Sequence, residues 1–190
     1  TDGRIDAFVT SAGTGGTIAG VAAYLKSRSD RVRIVLADPP GSALHDYIKM
    51  GVVQGDGRSS VTEGIGIGRI TANFAGAPID DALRIEDRET IVTAHRLLRE
   101  EGLFLGTTSG INVAAARRVA ESLGPGHTVV TILCDGGARY QSRLYDPGWL
   151  AARALGHLLA STADAARPAP AAASTAGTPA TTTNDRGEHR

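Results

Sequence analysis

Two hydrophobic rhythms alternate along this chain. Ile5 to Thr10 and Val32 to Ala37 are short, nearly continuous apolar runs, the pattern of strands buried on both faces. Each is followed by a stretch whose apolar residues recur at helical spacing. Ile18, Val21, Ala22 and Leu25 fall on one side of a helix, and Ser42 is placed to cap a second helix ending near Met50. Leu83-Arg84-Ile85 reads as a short strand, and Asp87 as the cap of a helix from Glu89 to Glu101 that places Ile91, Ala94, Leu97 and Leu98 on one face and stops at Gly102. Leu103-Phe104-Leu105 then leads through Gly106-Thr107-Thr108-Ser109-Gly110 to a helix from Ile111 to about Leu123, and Val129 to Leu133 is the last strand.

Repeated strand-then-helix units with uniformly apolar strands predict an α/β fold: a mostly parallel sheet with helices on both faces, in three layers. In such a sheet ligands gather where strands end and helices begin. The glycine-rich segments 11–17, 63–68 and 106–110 all fall at or beside such ends. The second of these, Glu63-Gly64-Ile65-Gly66-Ile67-Gly68, holds too much glycine for a helix or a plain strand and reads as a loop that faces something.

Gly13-Thr14-Gly15-Gly16-Thr17 lacks the lysine of an ATP-type phosphate loop and the full spacing of a dinucleotide fingerprint, yet it lies directly before a helix. Its amides, the positive end of the helix dipole and the hydroxyls of Thr14 and Thr17 suit a phosphate dianion, without any basic side chain. The competing reading is a tight turn that uses glycine only for its dihedral angles.

Composition narrows the partner. Twenty basic and 20 acidic residues cancel, so no overall field holds the chain to nucleic acid or anionic lipid, and a small-molecule partner is expected. Cys134 is the only cysteine, and the histidines are scattered without metal-ligand spacing; we expect no disulfide, no metal and a buried, inert thiol. No stretch reaches the roughly 18 apolar residues that span a bilayer, so a cytoplasmic protein is expected. Beyond Leu159 the sequence turns to Ala, Pro, Thr and Ser, which predicts a globular unit over 1–159 and a disordered tail over 160–190.

Gly13-Thr14-Gly15-Gly16-Thr17 resembles the phosphate-binding loop of the fold-type-II pyridoxal-phosphate enzymes, particularly the cysteine synthase and cystathionine β-synthase family. Two further segments agree in order: Glu63-Gly64-Ile65-Gly66 resembles that family's Gly-Ile-Gly loop, and Glu100 to Gly110 its Glu-Glu-Gly and Gly-x-Ser-Ser-Gly stretch. Asp38-Pro39-Pro40-Gly41-Ser42 and the segment Gly136 to Ser142 extend the likeness over about Ile5 to Trp149. The resemblance implies a tryptophan-synthase-β-like large domain, here incomplete. It also implies pyridoxal 5'-phosphate as cofactor, its phosphate held by Gly13 to Thr17, the Gly64 loop nearby, and a hydroxyl at Thr108 on the pyridine nitrogen. Helix capping is the alternative role for Thr108.

The implied activity is formation of cysteine from an activated serine and sulfide in a homodimeric parent, with cystathionine β-synthase or cysteine desulfhydrase chemistry as rivals. One feature departs from the family. Its Schiff-base lysine lies in a Ser-x-Lys-Asp-like segment, and the chain has only Lys26 and Lys49, neither in that context. Starting at Thr1 and entering a strand almost at once, the sequence reads as a fragment of something longer, inactive alone, or as a non-catalytic remnant. Gly15→Asp is expected to empty the cup while leaving the fold largely intact.

Overall fold

The computed structural model describes residues 1–158; the expected tail and the end of the expected domain lie outside them. Four parallel strands, β1 (Ala7–Ser11), β2 (Arg33–Asp38), β3 (Asp81–Arg84) and β4 (Val129–Thr131), form one sheet in the order β3-β2-β1-β4. β1 is buried along its whole length, as its continuous apolar run requires.

Helices α1 (Gly16–Arg28) and α2 (Leu44–Met50) cover one face, where Ile18, Ala22 and Leu44 meet Phe8, Ile34, Leu36 and Phe74. On the other face lies α4 (Thr107–Leu123), whose Ile111, Ala114, Ala115 and Val119 pack on Ala7, Val9, Val35 and Ala37. α3 (Asp87–Glu101) packs on α4, and its Ile91 and Ala94 join a third cluster with Tyr140, Leu144 and Leu150 from the 3₁₀ turn Gly137–Tyr140 and helix α5 (Pro147–Ala151). The three expected layers are present.

Several boundaries differ from the sequence expectation for physical reasons. Asp87 does not cap α3. It is the first helical residue, and its carboxylate instead takes the Ser60 hydroxyl at 2.5 Å and the Val61 N–H at 2.9 Å. The segment Thr107 to Gly110, expected as a turn, is the first turn of α4. Threonine and glycine are poor helix formers, but all four residues are buried against the sheet ends, and packing overrides propensity. Ser42 accepts the Leu44 N–H, while α2's next amide, His45 N–H, is taken at 2.8 Å by Asp38 from the end of β2.

The chain passes from β1 to β2 on one side and returns through α4 to β4 on the other. The crevice between the C-terminal ends of β1 and β4 is therefore the point where strand order reverses, the usual place for a ligand in such a sheet.

Candidate functional site

The glycine-rich turn sits at that point. Ser11 ends β1, Gly15 precedes α1 in a left-handed conformation (φ 84°), and no side chain caps the helix. The first helical bond of this end is Ala19 N–H to Gly15 carbonyl, which leaves the amides of Gly16, Thr17 and Ile18 at the positive end of the helix dipole. Thr14, Gly16 and Thr17 face solvent. The turn is open to solvent.

Glycine is required here for two different reasons. A Cβ on Gly13 would collide with the Gly64 carbonyl oxygen, so the 63–68 loop lies directly on the cup. A Cβ on Gly15 would meet the Phe74 Cβ at 2.7 Å, on top of a positive φ that disfavours any side chain. The expectation that Gly15→Asp leaves the fold intact is therefore corrected: that substitution forces backbone and Phe74 apart. Gly16 has no such constraint, its nearest neighbour being Asn73 Nδ2 at 3.9 Å.

Three elements converge on the crevice. Gly66 N–H donates to the Ala12 carbonyl at 3.3 Å, and Thr71 Oγ1 donates to the Thr14 carbonyl at 2.6 Å, tying the loop and the segment after it to the cup. Thr108, almost fully buried in the first turn of α4, donates to the Glu63 carbonyl at 3.4 Å. Gly13, Gly64 and Thr108 are thus linked through the Glu63-Gly64 backbone. Glu63 is in turn paired with Arg143 and lies 3.7 Å from Arg139, which fastens the loop to the 3₁₀ turn and the segment after it.

Neither Thr108 nor Ser109 caps α4. Ser109 Oγ accepts the Cys134 N–H at 2.9 Å, and the helix begins at Gly106 without a side-chain cap. Thr107 Oγ1 is buried with no hydrogen-bond partner among the described residues, as is Asp135 Oδ1, while Asp135 Oδ2 accepts the Tyr140 hydroxyl at 2.7 Å. Burial and that carboxylate push the Tyr140 phenol up to about 12, so it remains a donor throughout the physiological range.

Cys134 is exposed at the crevice rim, against the expectation of a buried thiol: β4 stops at Thr131, and the chain leaves the sheet before it. Partial desolvation and the neighbouring Asp135 raise its pKa, which disfavours the thiolate. Lys26 Nζ reaches Asp80 at 2.8 Å and Lys49 Nζ reaches Asp81 at 2.7 Å. Both carboxylates lie at the start of β3, an edge strand separated from β1 by β2.

Two residues that sequence reasoning missed complete the picture. Asn112 is fully buried between β1 and β4, accepting Ser11 N–H at 2.7 Å and donating to the Ile132 carbonyl at 2.9 Å. Its signal in the sequence is a polar residue one helical turn beyond Thr108 on an otherwise apolar face. Asp38 is also fully buried, and burial raises its pKa to about 6 although Ser42, His45 and Arg84 pull it down. Clefts of about 510 Å³, lined in part by Asp87, Arg143 and Trp149, and of about 620 Å³, around residues 1–6, include neither the cup nor Thr108.

A family model described as pyridoxal-phosphate dependent enzyme matches residues 1–135. This chain belongs to that family. Cysteine synthase 1 of Emericella nidulans is 53% identical over 160 residues, covering 82% of this chain and 43% of the relative. Cysteine synthase 1 of Neurospora crassa is 52% identical over 155 residues, covering 79% of this chain and 41% of the relative. The chain therefore spans about two fifths of the length of the curated relatives it matches. Among solved structures, the O-acetylserine dependent cystathionine β-synthase from Helicobacter pylori superposes with a TM-score of 0.67 at 34% identity, over 74% of this chain and 44% of that one. These matches bear out the fold-type-II resemblance and its parallel α/β architecture. No helix among the described residues is long and apolar enough to cross a membrane.

Proposed function

We propose that this chain supplies the cofactor-anchoring part of a cysteine synthase, with Gly13, Thr14, Gly15, Gly16 and Thr17 receiving the phosphate of pyridoxal 5'-phosphate. The observation that carries the reading is the uncapped, solvent-facing N-terminus of α1 at the crevice between β1 and β4, with Gly64 and Thr108 joined to it through one loop. The residues present fit the group: the cup offers amides and hydroxyls to a dianion and no carboxylate to repel it.

Bound there, pyridoxal phosphate supplies the electron-withdrawing ring that makes the Cα proton of an amino acid removable. Thr108 would turn its hydroxyl from the Glu63 carbonyl to the ring nitrogen of the bound cofactor. A hydroxyl is neutral, so it does not hold a proton on that nitrogen as a carboxylate would, which favours loss and replacement at Cβ over transamination. Gly64 and its neighbours form the wall beside the cup, held by the pairing of Glu63 with Arg143.

The reaction we assign to the parent enzyme is β-replacement, in which an activated serine loses its β-substituent and sulfide takes that place to give cysteine. Cysteine synthases at 53% and 52% identity favour this over a cystathionine β-synthase or a β-eliminating desulfhydrase. The pairing of Lys26 with Asp80 and of Lys49 with Asp81 supports a reading in which the base comes from elsewhere and the chain by itself anchors cofactor without turning over. A cytoplasmic, homodimeric parent accompanies this reading.

Calorimetric titration of the chain with pyridoxal phosphate and with pyridoxal tests it. The phosphate ester is expected to bind at least tenfold more tightly than the alcohol. Equal affinity for the two, or binding of neither, overturns the assignment.

A further inference from the structure

The β1–β4 ladder ends at Val9↔Thr131, and beyond it the two chains separate. Asn112 fills the gap. Its Oδ1 accepts the N–H of Ser11, the last residue of β1, while its Nδ2 donates to the Ile132 carbonyl at 2.9 Å and lies 3.4 Å from both Thr10 Oγ1 and Cys134 Sγ. The side chain is fully buried, so these bonds are not exchanged for water. It sits one turn after Thr108 in α4, on the same helical face.

We propose that Asn112 is a positioning residue that sets the spacing between the phosphate cup and Thr108. One primary amide replaces the ladder bonds that β1 and β4 no longer make to each other, and it does so from the helix that carries the Thr108 hydroxyl. Cup and hydroxyl are therefore referenced to a common, rigid point. Ser109, by contrast, fixes only the far wall through Cys134 N–H and makes no hydrogen bond to β1 among the described residues. The inference rests on the cofactor reading above and adds a geometric requirement to it: a ligand spanning cup and hydroxyl feels the loss of Asn112, and a ligand filling the cup alone does not.

The test compares two probes on three proteins. Pyridoxal phosphate and inorganic phosphate are titrated into the unmodified chain, Asn112→Leu and Ser109→Ala. Asn112→Leu is expected to weaken pyridoxal phosphate about tenfold, because the orphaned Ser11 N–H lets the cup shift, while phosphate changes by less than about twofold. Ser109→Ala is expected to change the ratio of the two affinities by less than about twofold. Equal weakening of both probes by Asn112→Leu, or no weakening, overturns the positioning role with the cofactor reading intact. If the unmodified chain binds neither probe, both fall together. Should Asn112→Leu not fold, Asn112→Ala, which removes the same acceptor for Ser11 with less bulk, is expected to change the ratio in the same direction, and an unchanged ratio overturns the positioning role.

Discussion

Two pairs of strand ends lie side by side on this sheet, and they are finished with opposite materials. Between β1 and β4 the groups are neutral: the Asn112 amide, the hydroxyls of Thr108 and Ser109, and the open amides of α1. At the ends of β2 and β3, Arg84 pairs with Asp46 at 2.8 Å and Asp56 at 3.3 Å, and Arg58 pairs with Asp56 at 2.8 Å and Glu86 at 2.9 Å. Asp38 lies beneath them, in register with Arg84 across the ladder.

The lesson is about which donors remain. Where carboxylates and guanidinium groups meet, most donors are already engaged and no positive dipole is left for a guest. At α2 the helix N-terminus is likewise spent on Asp38 and Ser42. Where glycine and neutral side chains finish the strands, the dipole of α1 stays available. At one pair of strand ends the donors are spent on charged partners, and at the other the amides of α1 stay open.

Gly16→Asp breaks this contrast most strongly. Asp in the first turn of α1 satisfies the helix dipole from within the chain, so the melting temperature should hold or rise slightly while affinity for pyridoxal phosphate falls about a hundredfold or more. Undiminished binding in a titration would remove the distinction between the two ends.

Asp38→Asn sharpens the comparison through pH. The folded pKa of about 6 lies above the ordinary 3.8, so folding takes up a proton between those values and the cost of the buried charge grows as pH rises through them. The wild-type chain is expected to lose stability relative to Asp38→Asn by on the order of 3 kcal/mol between about pH 4 and pH 7. Denaturant melts at both pH values check the sign, and a parallel pair of stability curves would refute it.

Arg84→Met removes the cation shared by Asp46 and Asp56. We expect a loss of stability, because the half-buried Asp46 is left without its cation, and no change in phosphate affinity. A fall in phosphate affinity in the same melts and titrations would mean that the two ends are coupled. Cys134→Ala should do least, within about 0.5 kcal/mol, and alkylation of the native thiol by iodoacetamide should stay slow until the pH passes that of an ordinary cysteine.

The sheet, its layers and the placement of the cup were legible because they depend on local signals: continuous apolar runs, helical periodicity and glycine at a strand-to-helix turn. What escaped depends on partners distant in sequence. Asn112 meets Ser11 101 residues away, and nothing near either residue announces the bond. Asp87 has the appearance of a cap until the 59–62 segment supplies it with better donors. Asp38 resembles an ordinary turn residue, and only the path of α2 shows that its carboxylate serves a helix. Likewise, the first turn of α4 looks like a loop because glycine and threonine disfavour helix, and the sheet ends that overrule them come from other parts of the chain.

Amide chemical shifts during a titration with pyridoxal phosphate address the central claim most directly. The account predicts that the N–H signals of Gly13 to Thr17 and of Thr108 move together and saturate at one concentration, with those of Asp46, Asp56 and Arg84 unmoved. Shifts confined to the β2 and β3 ends, or a response at the cup without one at Thr108, would contradict it.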